Sequence, residues 1–153
     1  MANKSLHPKT VASYFIIRSS ELDESNDLTN LKLQKVLFYA QAEYFKKFGR
    51  PLFDEAIEAW SYGPVVSSVY QWLKGCGAYP ITAFDVNPDA SSISDDDENE
   101  LKRTWDKYSK YSAGFLVEKT HEDGSPWDSA FRRTDKIIHL KELLNVKLAD
   151  EWS

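Results

Sequence analysis

The stretch 31–41 reads LKLQKVLFYAQ. Its apolar side chains recur at helical spacing, and the pattern continues to Phe48, so we predict a helix with Thr29 as N-cap and Gly49 as its stop. The apolar positions fall on two flanks of this helix rather than on one stripe. A helix of this kind must be covered on several sides, and we therefore predict that it lies at the centre of the fold.

Other helices are predicted on both sides of this central helix. The first begins at Pro8, because proline suits the first helical position, and ends near Glu21. The last extends from Ile137 to Trp152, where leucines recur at helical spacing and would close the bundle. Three more helices are predicted to follow serine N-caps, with a capping-box acid at Asp97 after the first of them: Ser94, Ser112 and Ser125.

The pattern changes in the middle of the chain. Residues 57–62 and 79–84 are short, aromatic segments, and we predict that they pair as strands. A helix is predicted between them, beginning at Gly63-Pro64 and stopping at Gly75 and Gly77. The predicted fold is mainly α, a compact multi-helix domain with a small antiparallel β element, and residues 1–153 form one domain.

Composition limits the classes of protein to which the chain can belong. With 153 residues and 42% hydrophobic side chains, the chain can bury one substantial core. No apolar run approaches the roughly 18 residues that a membrane span needs, and residues 1–5 lack the apolar stretch of a signal peptide. The single Cys76 cannot form an internal disulfide, which agrees with a reducing compartment. We expect a cytoplasmic protein with no membrane association.

Charge is distributed unevenly along the sequence. The net charge of the chain is −5, and the segment between Gly75 and Leu101 has seven acids and no base. The rest of the chain therefore has a net charge of +2. A net negative chain without a basic stripe is poorly suited to neutralising phosphates, and we do not expect nucleic acid as a partner of the bare domain. Acids in the first turn of a helix also complement its dipole, which gives part of the pattern a structural explanation.

Residues with catalytic or metal-binding chemistry are isolated from one another. Cys76 has no histidine near it in the sequence, and the three histidines are widely spaced: His7, His121 and His139. Residues 95–99 resemble a calcium loop only superficially, because the sixth and twelfth positions are Glu100 and Asp106. We also weighed an acid–base site at 121–123, but a tight turn in which His121 bonds a carbonyl or a side chain is favoured. We predict no enzyme, no metal and no cofactor.

Four sequence blocks resemble a known family. They are LKLQKVLFYAQ at 31–41, PLFDE at 51–55, AWSYGPV at 59–65 and THEDGSPW at 120–127. In this order they resemble the Panacea domain, a SocA-like antitoxin domain of phage-associated proteins. The resemblance implies a toxin–antitoxin system, in which this chain would neutralise a cognate protein toxin by direct stoichiometric binding. An alternative that one branch of the family implies is a proteolytic adaptor that presents the toxin to an energy-dependent protease.

Residues of these blocks are predicted to build the fold. Trp60, Tyr62 and Trp127 could also be binding hot spots, but core packing is favoured because each aromatic side chain buries a large area. The block residues predicted to be structural are Leu33, Gln34, Lys35, Tyr39, Trp60, Tyr62, Gly63, Pro64, His121, Ser125, Pro126 and Trp127.

Contacts with the toxin are expected outside the blocks. A toxin with a basic surface would be steered electrostatically to the acidic region between residues 89 and 100. The residues predicted to bind the partner are Asp95, Asp96, Asp97 and Glu100. The solvent face of the first helix and the C-terminal helix are alternative contact surfaces.

Overall fold

A computed structural model describes residues 4–22 and 25–152. Its helices are α1 (Pro8–Ser20), α2 (Asn30–Phe48), α3 (Ser67–Leu73), α4 (Ala83–Val86), α5 (Asp95–Tyr108), α6 (Ala113–Thr120) and α7 (Pro126–Phe131). Its strands are β1 (Ile57–Trp60), β2 (Gly63–Val65) and β3 (Ile137–Ile138), and short 3₁₀ segments cover Lys74–Cys76, Leu140–Asn145 and Ala149–Glu151. The prediction of a mainly α fold with a small antiparallel sheet is confirmed. Residues 23 and 24, which lie between the first predicted helix and the central one, are outside the described residues.

Helix α2 is the centre of the fold, as predicted. The Oγ1 atom of Thr29 accepts the amide of Lys32 at its start, and Gly49 ends it in the left-handed conformation at φ 72°. Nearly every side chain from Leu33 to Tyr44 is buried. Around this helix lie α1, α3, α5, α6, the sheet and the 3₁₀ segment 140–145. These neighbours cover both apolar flanks.

The sheet has the strand order β2-β1-β3, and both of its pairs are antiparallel. The prediction that Gly63-Pro64 begins a helix is wrong. Gly63 has φ 112°, a conformation outside the helical region, and it pairs with Trp60 across a tight turn. Pro64 lies on an edge strand, where a missing N–H is tolerated, and α3 begins only at Ser67.

The strand predicted at 79–84 does not form. Ile81 is buried, and its backbone bonds the loop before α2, with its amide 2.8 Å from the carbonyl of Leu28. The next residues turn into α4, because the Thr82 hydroxyl accepts the amide of Asp85 and caps this short helix. A local cap therefore overrides the β-compatible composition of the segment.

The helix predicted from Ile137 to Trp152 is also wrong. The two β-branched residues Ile137 and Ile138 pair with β1 instead, and extended chain at Val146 separates two 3₁₀ segments. A capping box at His139 and Glu142 begins the first of these segments. Of the apolar side chains in this segment only Leu143 is buried, so the leucines do not form the continuous buried face that a helix would have presented to the core.

The other predicted helix starts are confirmed. Ser94, Ser112 and Ser125 each accept the backbone amide three residues later, and these caps begin α5, α6 and α7. The first helix begins at Pro8 and ends at Ser20, one residue before the predicted end.

Candidate functional site

Lys35 lies beneath the turn between β1 and β2. Its side chain is fully buried, and its Nζ atom donates to the carbonyl of Pro64 at 3.1 Å. A Cβ atom at position 63 would lie 2.6 Å from Cε of Lys35 and 3.1 Å from Oγ1 of Thr120, so only glycine leaves room for this arrangement. Burial lowers the pKa of the Lys35 amine to about 7. Three sequence blocks thus meet at one buried lysine.

The neighbouring Gln34 fixes the start of α3. Its Oε1 atom accepts the amide of Val66 at 2.8 Å, and its Nε2 atom donates to Oδ1 of Asn30 at 3.0 Å. Asn30 in turn donates to the carbonyl of Tyr70 at 3.2 Å. Both polar atoms of the buried Gln34 amide therefore have a partner, and the bond to Val66 holds the backbone that follows β2. Gln34 and Lys35 therefore connect the central helix to the sheet and to α3.

The block at 120–127 packs against the same sheet. The indole Nε1 of Trp127 donates to the carbonyl of Trp60 at 2.8 Å, and the Trp127 ring stacks on His121 with centroids 3.8 Å apart. Trp127 is only 9% exposed and Pro126 beside it is buried, as core packing requires. The Ser125 hydroxyl caps α7 and donates to the carbonyl of Thr120 at 2.9 Å.

The ring of His121 has a different environment from the one predicted. We expected it to bond a carbonyl or a side chain, but it stacks on Trp127 instead, and its buried Nε2 has no hydrogen-bond partner among the described residues. Burial, with a further contribution from the Lys35 charge, lowers the pKa of His121. A neutral ring suits a stacked position of this kind.

Leu33 and Tyr39 lie in the core on α2. Both are buried, and the Tyr39 ring stacks on Tyr108 with centroids 4.6 Å apart and meets Trp152 edge-on at 5.3 Å. Burial raises the pKa of the Tyr39 phenol well above its usual value.

Tyr62 and Trp60 depart from predicted core packing to different extents. Tyr62 is 72% exposed at the turn between β1 and β2, so its predicted place in the core is wrong. Trp60 is half-buried, meets Tyr70 edge-on at 5.0 Å and donates to Glu58. The two side chains line one wall of a groove of about 360 Å³ that reaches Leu31.

The acidic region has two kinds of carboxylate. Asp97 is 5% exposed and its carboxylate accepts the Tyr44 hydroxyl at 2.8 Å, so its assignment to an exposed partner surface is wrong. Its amide donates to the Ser94 hydroxyl at the start of α5. Glu100 is largely covered and pairs with Lys47 and Arg103. Asp95 and Asp96 are exposed, and their role in partner binding stays a prediction.

The isolated histidines and the cysteine have separate surroundings. His7 caps α1 through its ring, His139 lies 3.0 Å from Asp135, and Cys76 is a half-buried free thiol. Within residues 4–22 and 25–152, no three His, Cys, Asp or Glu side chains are grouped so that they could hold a metal ion. In the same residues no helix is long and apolar enough to span a bilayer.

Among the described residues outside the blocks, Phe84 and Tyr79 are the most exposed aromatic side chains, and the sequence interpretation missed them. Phe84 is 97% exposed on α4, and Tyr79 is 79% exposed in the segment before it. Both were assigned to a strand that would have packed on the core. The signal was present, because Thr82 followed three residues later by Asp85 is a capping pattern that predicts a short helix.

The fold and the motif residues together define a class of protein: a mainly helical domain whose sequence blocks hold a buried lysine, a small sheet and a stacked tryptophan in the interior. The chain belongs to the SocA-like antitoxin family with a Panacea domain, whose sequence pattern matches residues 33–128. It is similar to the antitoxin SocA of Caulobacter vibrioides (strain NA1000 / CB15N), with 31% identity over 134 residues, 82% of this chain and 70% of that protein. No solved structure matches the chain. Membership of this family implies an antitoxin role with a cognate toxin as partner.

Proposed function

We propose that the chain neutralises its toxin by direct stoichiometric binding in the cytoplasm, without chemistry on the toxin. The observation that carries this proposal is the burial of Lys35. An amine with a pKa of about 7 is the strongest nucleophile or base candidate in the four blocks. Its side chain has no exposed surface and its amine is bonded to Pro64, so it serves the scaffold rather than a substrate.

The other block residues support the same interpretation. The Gln34 Oε1 atom accepts the backbone amide of Val66 at the start of α3, and the Trp127 indole donates to the backbone carbonyl of Trp60 in the sheet. Side chains that hold the fold in this way leave the remaining surface free to vary with the partner. A binding protein needs such a scaffold and an exposed contact surface, and it needs no reacting group.

Titration of the purified pair tests direct neutralisation. The toxin is identified as the product of a neighbouring gene that arrests growth and whose effect this chain relieves. Its own activity is measured against increasing amounts of the chain, with no protease and no nucleotide present. We expect a linear loss of toxin activity that ends at a fixed molar ratio, and co-elution of the two proteins in gel filtration.

Other outcomes would identify the alternatives. An adaptor would leave the toxin active in this assay and would shorten its half-life only with an energy-dependent protease. An enzyme would inactivate many equivalents of toxin at a small molar fraction. Cys76→Ser and His139→Ala should neutralise as the wild type does, and loss of neutralisation by a folded Cys76→Ser protein would contradict a mechanism without chemistry.

A further inference from the structure

We propose that the toxin docks on an aromatic surface formed by Trp72, Tyr79, Phe84 and Val86, and that it seats there a segment with an apolar side chain flanked by Lys or Arg. This inference rests on the proposed direct binding and names the surface and the partner chemistry for it. The surface lies outside the four sequence blocks, between the end of α3 and α4.

Exposure of these side chains is the first observation. Phe84 projects almost entirely into solvent and Tyr79 is mostly exposed. An aromatic side chain buries 150–250 Å² when it is packed, so each leaves a large apolar area in water. A cavity of about 510 Å³ opens beside Tyr79 and is lined by Trp72, Asp85 and Val86 among others, and Phe84 precedes Asp85 in the chain. Grouped exposed apolar area next to a concavity is typical of a protein interaction site.

The surface is held in place by hydrogen bonds. The Ile81 carbonyl accepts Nδ2 of Asn26 at 3.0 Å, and the Ala83 amide donates to Oγ of Ser20 at 2.9 Å. Together with the Thr82 cap of α4, these bonds fix the backbone on both sides of Phe84. A contact surface that is already ordered loses less conformational entropy when it binds. The exposed ring is therefore presented by an ordered backbone.

Charge selects the occupant of the surface. Asp85 and Asp89 are exposed, and hydrogen bonds from Ser91 lower the pKa of Asp89. Asp85 belongs to α4 and also lines the cavity beside Tyr79. Lys9, with Nζ 5.9 Å from the centroid of the Trp72 ring, borders the surface on the side of α1. A segment with Lys or Arg beside its apolar anchor matches this environment.

A second copy of this chain fits less well. In a two-fold contact through the aromatic surface, Asp85 and Asp89 of one copy would face the same acids of the other copy. Like charges across an interface oppose association, whereas a basic toxin segment would be attracted to the same acids. The observations thus favour the toxin over self-association.

Phe84→Ala and Tyr79→Ala test the surface in the full chain. The probe is the toxin defined above, and its Kd is measured by calorimetry beside the Tm of each free variant. We expect Phe84→Ala to weaken binding by about 30-fold, the effect of losing a hot-spot side chain, with Tm near wild type because the ring packs on little in the free protein. Leu144→Ala is the matched control, since Leu144 is 57% exposed on the distant segment 140–145.

A second pair of variants tests the charge. Asp85→Asn combined with Asp89→Asn should slow association at low salt and weaken its salt dependence, whereas Asp54→Asn, at another exposed acid, should not. Asparagine keeps an oxygen that can accept the Thr82 hydroxyl, so α4 should remain capped.

The outcomes separate this inference from the proposed function. If the wild type binds the toxin and the Kd of Phe84→Ala is within about threefold of the wild-type Kd, the toxin does not dock on the aromatic surface, while direct neutralisation stands. If the wild type forms no complex, direct binding fails and the surface proposal fails with it. If Phe84→Ala abolishes a dimer of this chain and leaves toxin binding unchanged, a second copy is the occupant and the proposal is overturned.

Discussion

The Cε atom of Lys35 fills the space in which a side chain at Gly63 would lie. The two positions come from different sequence blocks, and the amine at the end of the Lys35 side chain bonds the carbonyl of Pro64, the residue after Gly63. The backbone at Gly63 also has φ 112°, which L side chains rarely adopt. The close approach of helix α2 to the turn between β1 and β2 therefore depends on this glycine.

Gly63→Ala should destabilise the protein. The added Cβ would meet Lys35 and Thr120 and would occupy a strained φ, and we expect a loss of about 2–4 kcal/mol in the free energy of unfolding. Gly114→Ala is the control, because a Cβ there meets nothing within 4 Å and alanine favours a helix. Urea unfolding of both variants measures the difference. Equal stability of the two would contradict the close packing at Lys35.

Lys35 should make the stability of the protein depend on pH. Burial lowers its pKa from 10.5 to about 7, so between these values the unfolded chain binds more protons than the folded one. The contribution of Lys35 to the free energy of unfolding is therefore lowest at and below about pH 7. It rises towards pH 10.5 by at most about 1.4 kcal/mol per pH unit. Urea unfolding from pH 7 to pH 9 should show this rise in the wild type but not in Lys35→Met. Lys141→Met, at an exposed lysine, should retain the wild-type rise. If the free energy of unfolding rises equally with pH in all three proteins, Lys35 is not the cause of the rise.

Local signals account for what the sequence predicted correctly. Each serine or threonine N-cap accepts the amide three residues later, so the starts of α2, α5, α6 and α7 are determined by residues next to them in the chain. Such a signal is read directly from a short stretch. The same kind of signal at Thr82 was overlooked because the segment around it is β-compatible.

Long-range pairing accounts for what the sequence did not predict. Strand β1 takes Ile137 and Ile138 as a partner from the far end of the chain, and no pattern within residues 57–62 identifies that partner. The buried cluster at Lys35 also joins residues from β2 and α6 to the central helix. Its members are visible in the sequence blocks, but their meeting is a property of the tertiary fold.

Asp97 should contribute to stability rather than to toxin binding. It is buried and accepts the Tyr44 hydroxyl, so Asp97→Ala leaves a polar group without this partner at a cost of about 1–3 kcal/mol. Asp95→Ala, at an exposed position of the same helical turn, should change the free energy of unfolding by about 0.5 kcal/mol or less. Thermal unfolding of the free wild-type, Asp97→Ala and Asp95→Ala proteins gives the Tm values to be compared. A wild-type Tm for Asp97→Ala would show that the buried hydrogen bond adds nothing.

Asp95 and Asp96 remain candidates for steering a basic toxin. Replacing both with Asn should slow association at low salt and reduce its salt dependence, while dissociation changes less, as expected for charges at the rim of an interface. Asparagine is tolerated near a helix start, so folding should suffer little. Stopped-flow association at two salt concentrations measures the effect. Unchanged association rates at low salt would exclude this helix start from the interface.

Trp127 should be needed for folding before it is needed for binding. It is almost buried, stacks on His121 and donates to the Trp60 carbonyl, so Trp127→Ala should cost about 3–5 kcal/mol of a total stability of about 5–15 kcal/mol. Trp127→Phe keeps a stacking ring and loses the indole donor, and it should cost less. Thermal unfolding of each free variant beside a toxin titration separates the two roles. A Trp127→Ala protein with wild-type Tm and lost toxin binding would make Trp127 a contact residue, because a packing residue cannot be removed without loss of stability.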